Sequence, residues 1–269
     1  MGHHRGAYQS QSAILATPLD GVVSSDVTVD PSRSLWFRLS VPVPVATILP
    51  VIIYYHGGGF AFWSPNRKPY DNLCRRLARE LPAVVISANY RLAPKHRCPT
   101  QYDDCFEALK FIDRNKVDGF PANVDIGKCF LAGDSAGGNS AHNEAVKATT
   151  EERSDSELRM KSDAILPLER IDRFWKHFLP DESDRYHPAA SVFGSKSKDA
   201  TGVNNFPATL VVYCEWLKRS NKETKKVEYP NMPHLFYAFP EVPESSMIIS
   251  EINSFVQDLL AKNRSLFGS

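Results

Sequence analysis

Apolar residues recur along this chain with two periods, one typical of strands and one typical of helices. Residues 24–40 alternate polar and apolar and break at Asp30-Pro31, which predicts an antiparallel hairpin at a sheet edge. Apolar runs predict further strands at 51–55, 83–87, 128–132, 206–212 and 225–229. Helical spacing predicts helices that begin after Pro69 and that cover 102–115, 139–149, 216–219 and 247–263.

This alternation of strands and helices predicts an α/β fold with a mostly parallel central sheet and helices on both faces. The chain of 269 residues, 42% of them hydrophobic, suits one domain spanning 1–269. Residues 1–20 form a poorly patterned amino-terminal segment, and about 151–195 predict a cap-like insertion that makes a partial helical cap. Ligands of such sheets bind at the carboxyl ends of the strands.

Charge and composition exclude several classes of partner. The 32 basic and 31 acidic residues balance to a net charge of +1, so neither nucleic acid nor an anionic membrane surface is an expected partner. The longest apolar stretch, 49–55, is far shorter than the roughly 20 residues of a membrane-spanning helix. The amino terminus lacks the apolar core of a signal peptide. We therefore expect a soluble protein of the cytoplasm or the nucleus.

The five cysteines are scattered and include no Cys-x-x-Cys pair, so neither a zinc site nor a redox dithiol is predicted. An odd number of separated cysteines indicates reduced thiols. Cys105 in a helical pattern and Cys129 in a predicted strand are interpreted as core residues. No other metal site and no cofactor is expected.

A nucleophile motif follows the predicted strand 128–132. Gly133-Asp134-Ser135-Ala136-Gly137 matches Gly-x-Ser-x-Gly, in which small flanking residues let the chain turn sharply and hold the serine hydroxyl above the sheet. So short a motif also occurs by chance, but here it stands between a strand and a helix, as the mechanism requires. Ser135 is the predicted nucleophile.

A glycine loop, His56-Gly57-Gly58-Gly59-Phe60, ends the predicted strand 51–55. Glycines leave backbone N–H groups open to a substrate oxyanion, and an N–H at a helix start adds another donor. The predicted oxyanion hole therefore consists of the N–H groups of Gly58, Gly59 and Ala136. A merely flexible turn is the alternative.

Aromatic residues beside this loop have two interpretations. Phe60, Phe62 and Trp63 either line an apolar substrate pocket or pack in the core, and the same choice applies to Phe174, Trp175 and Phe178 on a predicted cap helix.

The general base is predicted from chain order, because triads of this type run serine, acid, histidine. That order selects His234, on a turn-rich loop after the last predicted strand. His142 lies seven residues after Ser135, about 10 Å along the helix, and is interpreted as structural.

These motifs, together with Asn89-Tyr90-Arg91-Leu92-Ala93-Pro94 and Tyr102-Asp103-Asp104, resemble the hormone-sensitive-lipase family, and specifically plant carboxylesterases related to gibberellin receptors. The resemblance extends from about Gly21 onward. It implies an α/β-hydrolase fold, ester hydrolysis without a cofactor, and the roles given above to the serine, the histidine and the oxyanion donors.

The chain departs from that family where the triad acid is expected. The family's Gly-x-Asp-Pro-Leu type loop is absent after strand 206–212, and Glu215 is the nearby carboxylate. Glu215 is therefore a tentative acid, with a helical surface glutamate as the alternative. Pro233, directly before His234, restricts the preceding residue to extended geometry and could re-aim the base.

Two further departures concern the scaffold. A buried strand that the family has after the nucleophile helix is not recognisable, nor are lid helices in 1–19. We therefore expect a shortened esterase.

Three functions follow from the residues. The leading prediction is a carboxylesterase acting on a small ester substrate, impaired if the acid is missing. The alternatives are a non-catalytic small-molecule receptor, which needs the pocket but not the triad, and an inactive remnant. Oligomeric state is not predicted.

Overall fold

The computed structural model of the protein describes residues 18–44, 47–114, 117–147, 176–183, 187, 189, 209–211, 224–229 and 232–266.

Five strands form the main sheet, in the order β1-β2-β4-β3-β5. They are β1 (Val22–Asp30), β2 (Leu35–Pro42), β3 (Leu49–Tyr55), β4 (Val84–Ala88) and β5 (Val124–Gly133). β2 pairs antiparallel with β1 and β4, which confirms the predicted hairpin, and β3 runs parallel to β4 and β5. The α/β class is confirmed, and the sheet is mixed because the hairpin adds two antiparallel pairings to a parallel centre.

A separate two-stranded parallel sheet pairs β6 (Thr209–Val211) with β7 (Thr224–Lys226), within or beside the predicted strands 206–212 and 225–229. β5 is the last strand of the main sheet in the described part of the chain. Residues 148–175, where the lost strand is expected, lie outside the described residues, so that loss stays a prediction.

The described helices match the predicted ones closely. They are α1 (Lys68–Glu80), α2 (Thr100–Arg114), α3 (Ala136–Lys147) and α4 (Pro243–Leu266), with single 3-10 turns at Pro31–Arg33 and Phe236–Ala238. α2 turns Tyr102, Cys105, Ala108 and Ile112 inward. Leu109 packs, partly buried, against the same core cluster. None of the described helices has the length and apolar character needed to cross a bilayer.

The core lies on both faces of the sheet, as residue alternation on β3 demands. Val51, Ile53 and Tyr55 point to a cluster that includes α2, whereas Ile52 and Tyr54 point to one that includes α1 and α4. Every residue of β3 is buried, as predicted for a strand covered on both faces. Helices on both faces are therefore confirmed.

A short piece of the predicted cap, residues 176–183, is described and packs on the first cluster through the buried Phe178 and Leu179. The Cys98 N–H donates to the Phe178 carbonyl at 2.8 Å. Arg97 Nη1 donates to the carbonyls of Leu179 at 2.6 Å and Lys176 at 3.1 Å. The arginine thus fixes the end of this segment. Phe174 and Trp175 lie outside the described residues.

The cysteines differ from expectation at one position. Cys105 is buried, as are Cys74 and Cys98, and all are free thiols. Cys129 is exposed, so its interpretation as a core residue was wrong. It stands on β5, the last strand in the order of the described sheet.

Candidate active site

The predicted nucleophile turn is present between β5 and α3. Ser135 has φ +51° and is exposed, a conformation that is uncommon for a residue with a Cβ. The turn is closed by the Gly137 N–H, which donates to the Asp134 carbonyl at 2.7 Å, and by the Asn139 N–H, which donates to the Ser135 carbonyl at 3.0 Å. A strained serine at a strand-to-helix turn is the geometry of a nucleophile elbow.

Close backbone packing explains the two flanking glycines. A Cβ at Gly133 would lie 2.3 Å from the Gly137 carbonyl oxygen, and one at Gly137 would lie 1.9 Å from the Tyr55 carbonyl oxygen. The turn therefore touches the end of β3, from which the glycine loop begins. The two motifs share one rim of the sheet.

The glycine loop uses backbone angles that favour glycine, with φ +110° at Gly58 and +58° at Gly59. A Cβ at Gly58 would lie 2.2 Å from the Phe62 carbonyl oxygen. No described residue accepts a hydrogen bond from the N–H groups of Gly58, Gly59 or Ala136. These three donors are thus available to a ligand at the rim.

Asp134, within the turn, hydrogen-bonds to β3, to the glycine loop and to α1. Its carboxylate is buried and accepts from the Gly57 N–H at 2.9 Å, the Tyr54 hydroxyl at 2.8 Å and the Tyr70 hydroxyl at 2.9 Å. Burial raises the pKa of Asp134, against the opposing effect of the tyrosine hydrogen bonds and of His234. In the sequence, Asp134 stands out only as part of the Gly-x-Ser-x-Gly motif. The signal that could have identified its role is a charged residue inside a tight turn that follows a strand.

His56 is a buried structural residue. Its Nδ1 lies 2.7 Å from the Gly57 carbonyl, to which a neutral ring donates, and its ring stacks on Tyr90 with centroids 4.3 Å apart. The Tyr90 hydroxyl donates to the His56 carbonyl at 2.5 Å. Burial lowers the pKa of His56 to about 4, so the ring is neutral at pH 7. It shapes the start of the glycine loop.

His234 occupies the turn after Pro233 and is half-buried, and the next residue, Leu235, has φ +71°. Three residues further on, the buried Tyr237 hydroxyl faces Asp134 without reaching normal hydrogen-bond geometry. Tyr237 packs on the cluster that contains Tyr54 and Tyr70, which places the histidine loop near the nucleophile turn.

The predicted base and the predicted nucleophile lie near one rim of the sheet. In unliganded enzymes the hydrogen bond between such a pair is often long and tightens with substrate. Glu215, the tentative acid, lies outside the described residues and stays a prediction, and so does the helix at 216–219.

The aromatic residues beside the loop separate into two kinds. Phe60 is 2% exposed and stacks on Phe178, with ring centroids 3.9 Å apart and planes 12° apart, so both pack as core. Phe62 is 39% exposed, and Trp63 is half-buried. Only the latter two are accessible for pocket lining. Among the described residues, no group of three His, Cys, Asp or Glu side chains is placed to hold a metal.

Comparison with known proteins bears on the fold of the chain. A family model described as alpha/beta hydrolase fold matches residues 52–238. The chain is 36% identical to the gibberellin receptor GID1C of Arabidopsis thaliana, over 90% of the chain and 82% of the receptor. It is also 36% identical to probable carboxylesterase 6 of the same plant, over 82% of the chain and 76% of that protein.

The solved esterase of Pyrobaculum calidifontis superposes with a TM-score of 0.71 at 27% identity, over 88% of this chain and 85% of that one. The alignment with GID1C extends over 290 positions, more than the 269 residues of this chain, so it contains gaps in this chain. Such gaps agree with the expected internal shortening. From the extent of the family match and the identity over most of its length, the chain belongs to the alpha/beta hydrolase family that includes plant carboxylesterases and gibberellin receptors.

Proposed function

We propose that this chain is a serine carboxylesterase that hydrolyses small carboxylic esters. The observation that carries the proposal is the contact between the strained Ser135 turn and the glycine loop, with the N–H groups of Gly58, Gly59 and Ala136 bound to no described acceptor. An unused set of donors beside an exposed serine hydroxyl suits the developing negative charge of an acyl-transfer transition state.

In the proposed reaction, Ser135 Oγ attacks the ester carbonyl carbon while His234 takes its proton. The three N–H groups stabilise the oxyanion of the tetrahedral intermediate. His234 then gives the proton to the departing alcohol, and an acyl-serine remains. A water molecule attacks this ester with His234 again as the base, and the carboxylic acid leaves as Ser135 regains its proton. None of these reaction steps requires a cofactor.

The acid that would orient His234 determines how fast this reaction runs. Replacing the acid of a serine protease triad by its amide lowers kcat by about 10⁴. If Glu215 takes the place of the family's aspartate, turnover is that of a full triad. If it does not, a serine and histidine pair works with the oxyanion hole alone and turnover is slow.

Hydrolysis of p-nitrophenyl acetate by the purified chain tests the proposal, with Ser135→Ala as the decisive variant. Ser250→Ala, an exposed serine on α4, is the matched control. We expect turnover by the parent and the control and none above background by Ser135→Ala. Equal rates for Ser135→Ala and the parent would refute the serine mechanism. Loss of activity in Glu215→Gln would identify the acid.

A second function, small-molecule binding without catalysis, is favoured by the 36% identity to a gibberellin receptor. Calorimetric titration of the parent and of Ser135→Ala with a gibberellin tests it. Binding by both proteins, with no ester turnover by the parent, would support the receptor. Turnover without gibberellin binding would exclude it.

A further inference from the structure

The proposed reaction leaves Asp134 without a task, although this carboxylate is only 8% exposed. Removing a carboxylate from water is costly unless hydrogen bonds or an opposite charge compensate. None of the described lysines or arginines forms an ion pair with Asp134. Its compensation comes from hydrogen-bond donors, with a smaller contribution from the nearby His234.

These donors come from β3, from the glycine loop that follows it directly, and from α1. The Tyr54 hydroxyl on β3 and the Gly57 N–H share Oδ1, and the Tyr70 hydroxyl on α1 bonds Oδ2. Hydrogen bonds to an ionised acceptor are roughly twice as strong as neutral ones. The carboxylate thus ties β3, the glycine loop and α1 to the residue that precedes the proposed nucleophile.

The glycine loop also fits this carboxylate by shape. A Cβ at Gly57 would lie 2.4 Å from Asp134 Oδ2 and 2.8 Å from the Tyr70 hydroxyl oxygen. Gly57 therefore sits directly against the carboxylate, with its N–H pointing at Oδ1. Because the Gly57 N–H is engaged, the next two residues are the ones left to face a ligand.

We propose that Asp134 is a positioning residue that holds the glycine loop against the nucleophile turn, so that the Gly58 and Gly59 N–H groups face the oxyanion formed by attack of Ser135. The structural part of this inference stands on the contacts of Gly57. Its catalytic part rests on the proposed esterase function.

Asp134→Asn is the sharpest test, because the amide keeps the shape and can keep an oxygen toward Gly57 but loses the charge and one acceptor. Tyr70→Phe removes one donor and leaves the carboxylate. Asp104→Asn is the matched control, since Asp104 is a second buried carboxylate among the described residues, on α2, and bonds Arg91 instead.

Amide hydrogen exchange on the full chain measures directly how firmly the glycine loop is kept in place. We expect the hydrogen-bonded amides of Gly57, Ala61 and Phe62 to exchange about tenfold faster in Asp134→Asn, and faster to a smaller extent in Tyr70→Phe, with Asp104→Asn unchanged there. Unchanged protection of these amides in folded Asp134→Asn and in Tyr70→Phe would overturn the proposal. Equal loosening in Asp104→Asn would also overturn it, because general destabilisation would then explain the effect.

Hydrolysis of p-nitrophenyl acetate gives the catalytic consequence. Oxyanion donors act mainly in the transition state, so Asp134→Asn should lower kcat by about 10- to 100-fold with KM within about threefold. A raised KM with unchanged kcat would contradict a role at the oxyanion hole. If the parent itself shows no turnover, the proposed esterase function fails, whereas the exchange measurement still decides whether Asp134 holds the loop.

Discussion

A Cβ at Gly137 would lie 1.9 Å from the Tyr55 carbonyl oxygen, so the first turn of α3 rests on the backbone at the end of β3. No side chain fits between them. This contact sets the distance between the serine turn and the glycine loop, because each motif is continuous with one of the two touching segments.

Gly137→Ala should therefore separate the two motifs. We expect the free energy of unfolding to fall by about 3 kcal/mol, because backbone must move to admit the methyl group. Gly138→Ala is the matched control, since its Cβ would lie 3.2 Å from the Gly133 carbonyl oxygen and alanine favours the helix. Urea unfolding of both variants measures the difference. Equal free energies of unfolding for the two variants would show that the backbone at Tyr55 leaves room for a methyl group at position 137.

Stability should depend on pH through His56. Burial lowers its pKa from 6.5 to about 4, so between these values the unfolded chain binds a proton that the folded chain excludes. Stability is therefore highest above pH 6.5 and is lost as the pH falls toward 4, by about 3 kcal/mol from this residue.

His56→Asn removes the titrating ring and keeps a group that can donate to the Gly57 carbonyl. Urea unfolding at pH 7.5, 5.5 and 4.5 compares it with the parent. We expect the stability advantage of the parent to shrink as the pH falls. If the difference in free energy of unfolding between the parent and His56→Asn is the same at all three pH values, burial does not lower the pKa of His56.

The pair of Arg91 and Asp104 should contribute strongly to stability. Arg91 Nε and Nη2 each donate to one carboxylate oxygen at 2.8 Å, and Asp104 is fully buried. Arg91→Ala leaves the Asp104 carboxylate, among the described residues, with only the longer ion pair to Arg33 Nη1 at 4.0 Å and should cost about 3 kcal/mol.

Lys110→Ala breaks the more exposed pair with Glu107 on the same helix and should cost less than about 0.5 kcal/mol. Thermal unfolding distinguishes the two variants. If Arg91→Ala loses no more stability than Lys110→Ala, the hydrogen bonds between Arg91 and Asp104 do not stabilise the fold as the structure indicates.

The two aromatic neighbours of the glycine loop should respond differently to truncation. Phe60→Ala empties a stacked core position and should lower the unfolding free energy by about 3–4 kcal/mol. Phe62→Ala removes a partly exposed ring and should leave stability nearly unchanged. If Phe62 lines the substrate pocket, its loss raises KM for an apolar ester. Loss of stability in Phe62→Ala alone would reverse the assignment.

Much of the fold was predictable, because the strands and helices of the centre bury faces that must be apolar at fixed spacing. The run 51–55 lies inside β3, the run 83–87 starts one residue before β4, and the break at Asp30-Pro31 is the hairpin turn between β1 and β2. Cys129 was misassigned because its run of residues looks like any central strand, whereas its exposure depends on which strand stands beside β5.

The candidate site was predictable where a residue type is required by its own backbone. Ser135 and the glycines at 58 and 59 adopt positive φ, and a five-residue pattern is enough to identify such a turn. The sequence did not decide whether Phe60 lines the pocket or packs in the core, because its burial depends on Phe178, a residue more than a hundred positions away.

The sequence by itself determined the alternation of strands and helices, the nucleophile turn and the glycine loop, since periodicity and backbone requirements are local properties of the chain. Only the tertiary structure decided that Asp134 bonds Gly57, 77 positions earlier, and that Gly137 rests on Tyr55. Such relations depend on how distant segments approach one another, and hydrogen bonds and backbone contacts between them leave no periodic trace in the order of residues.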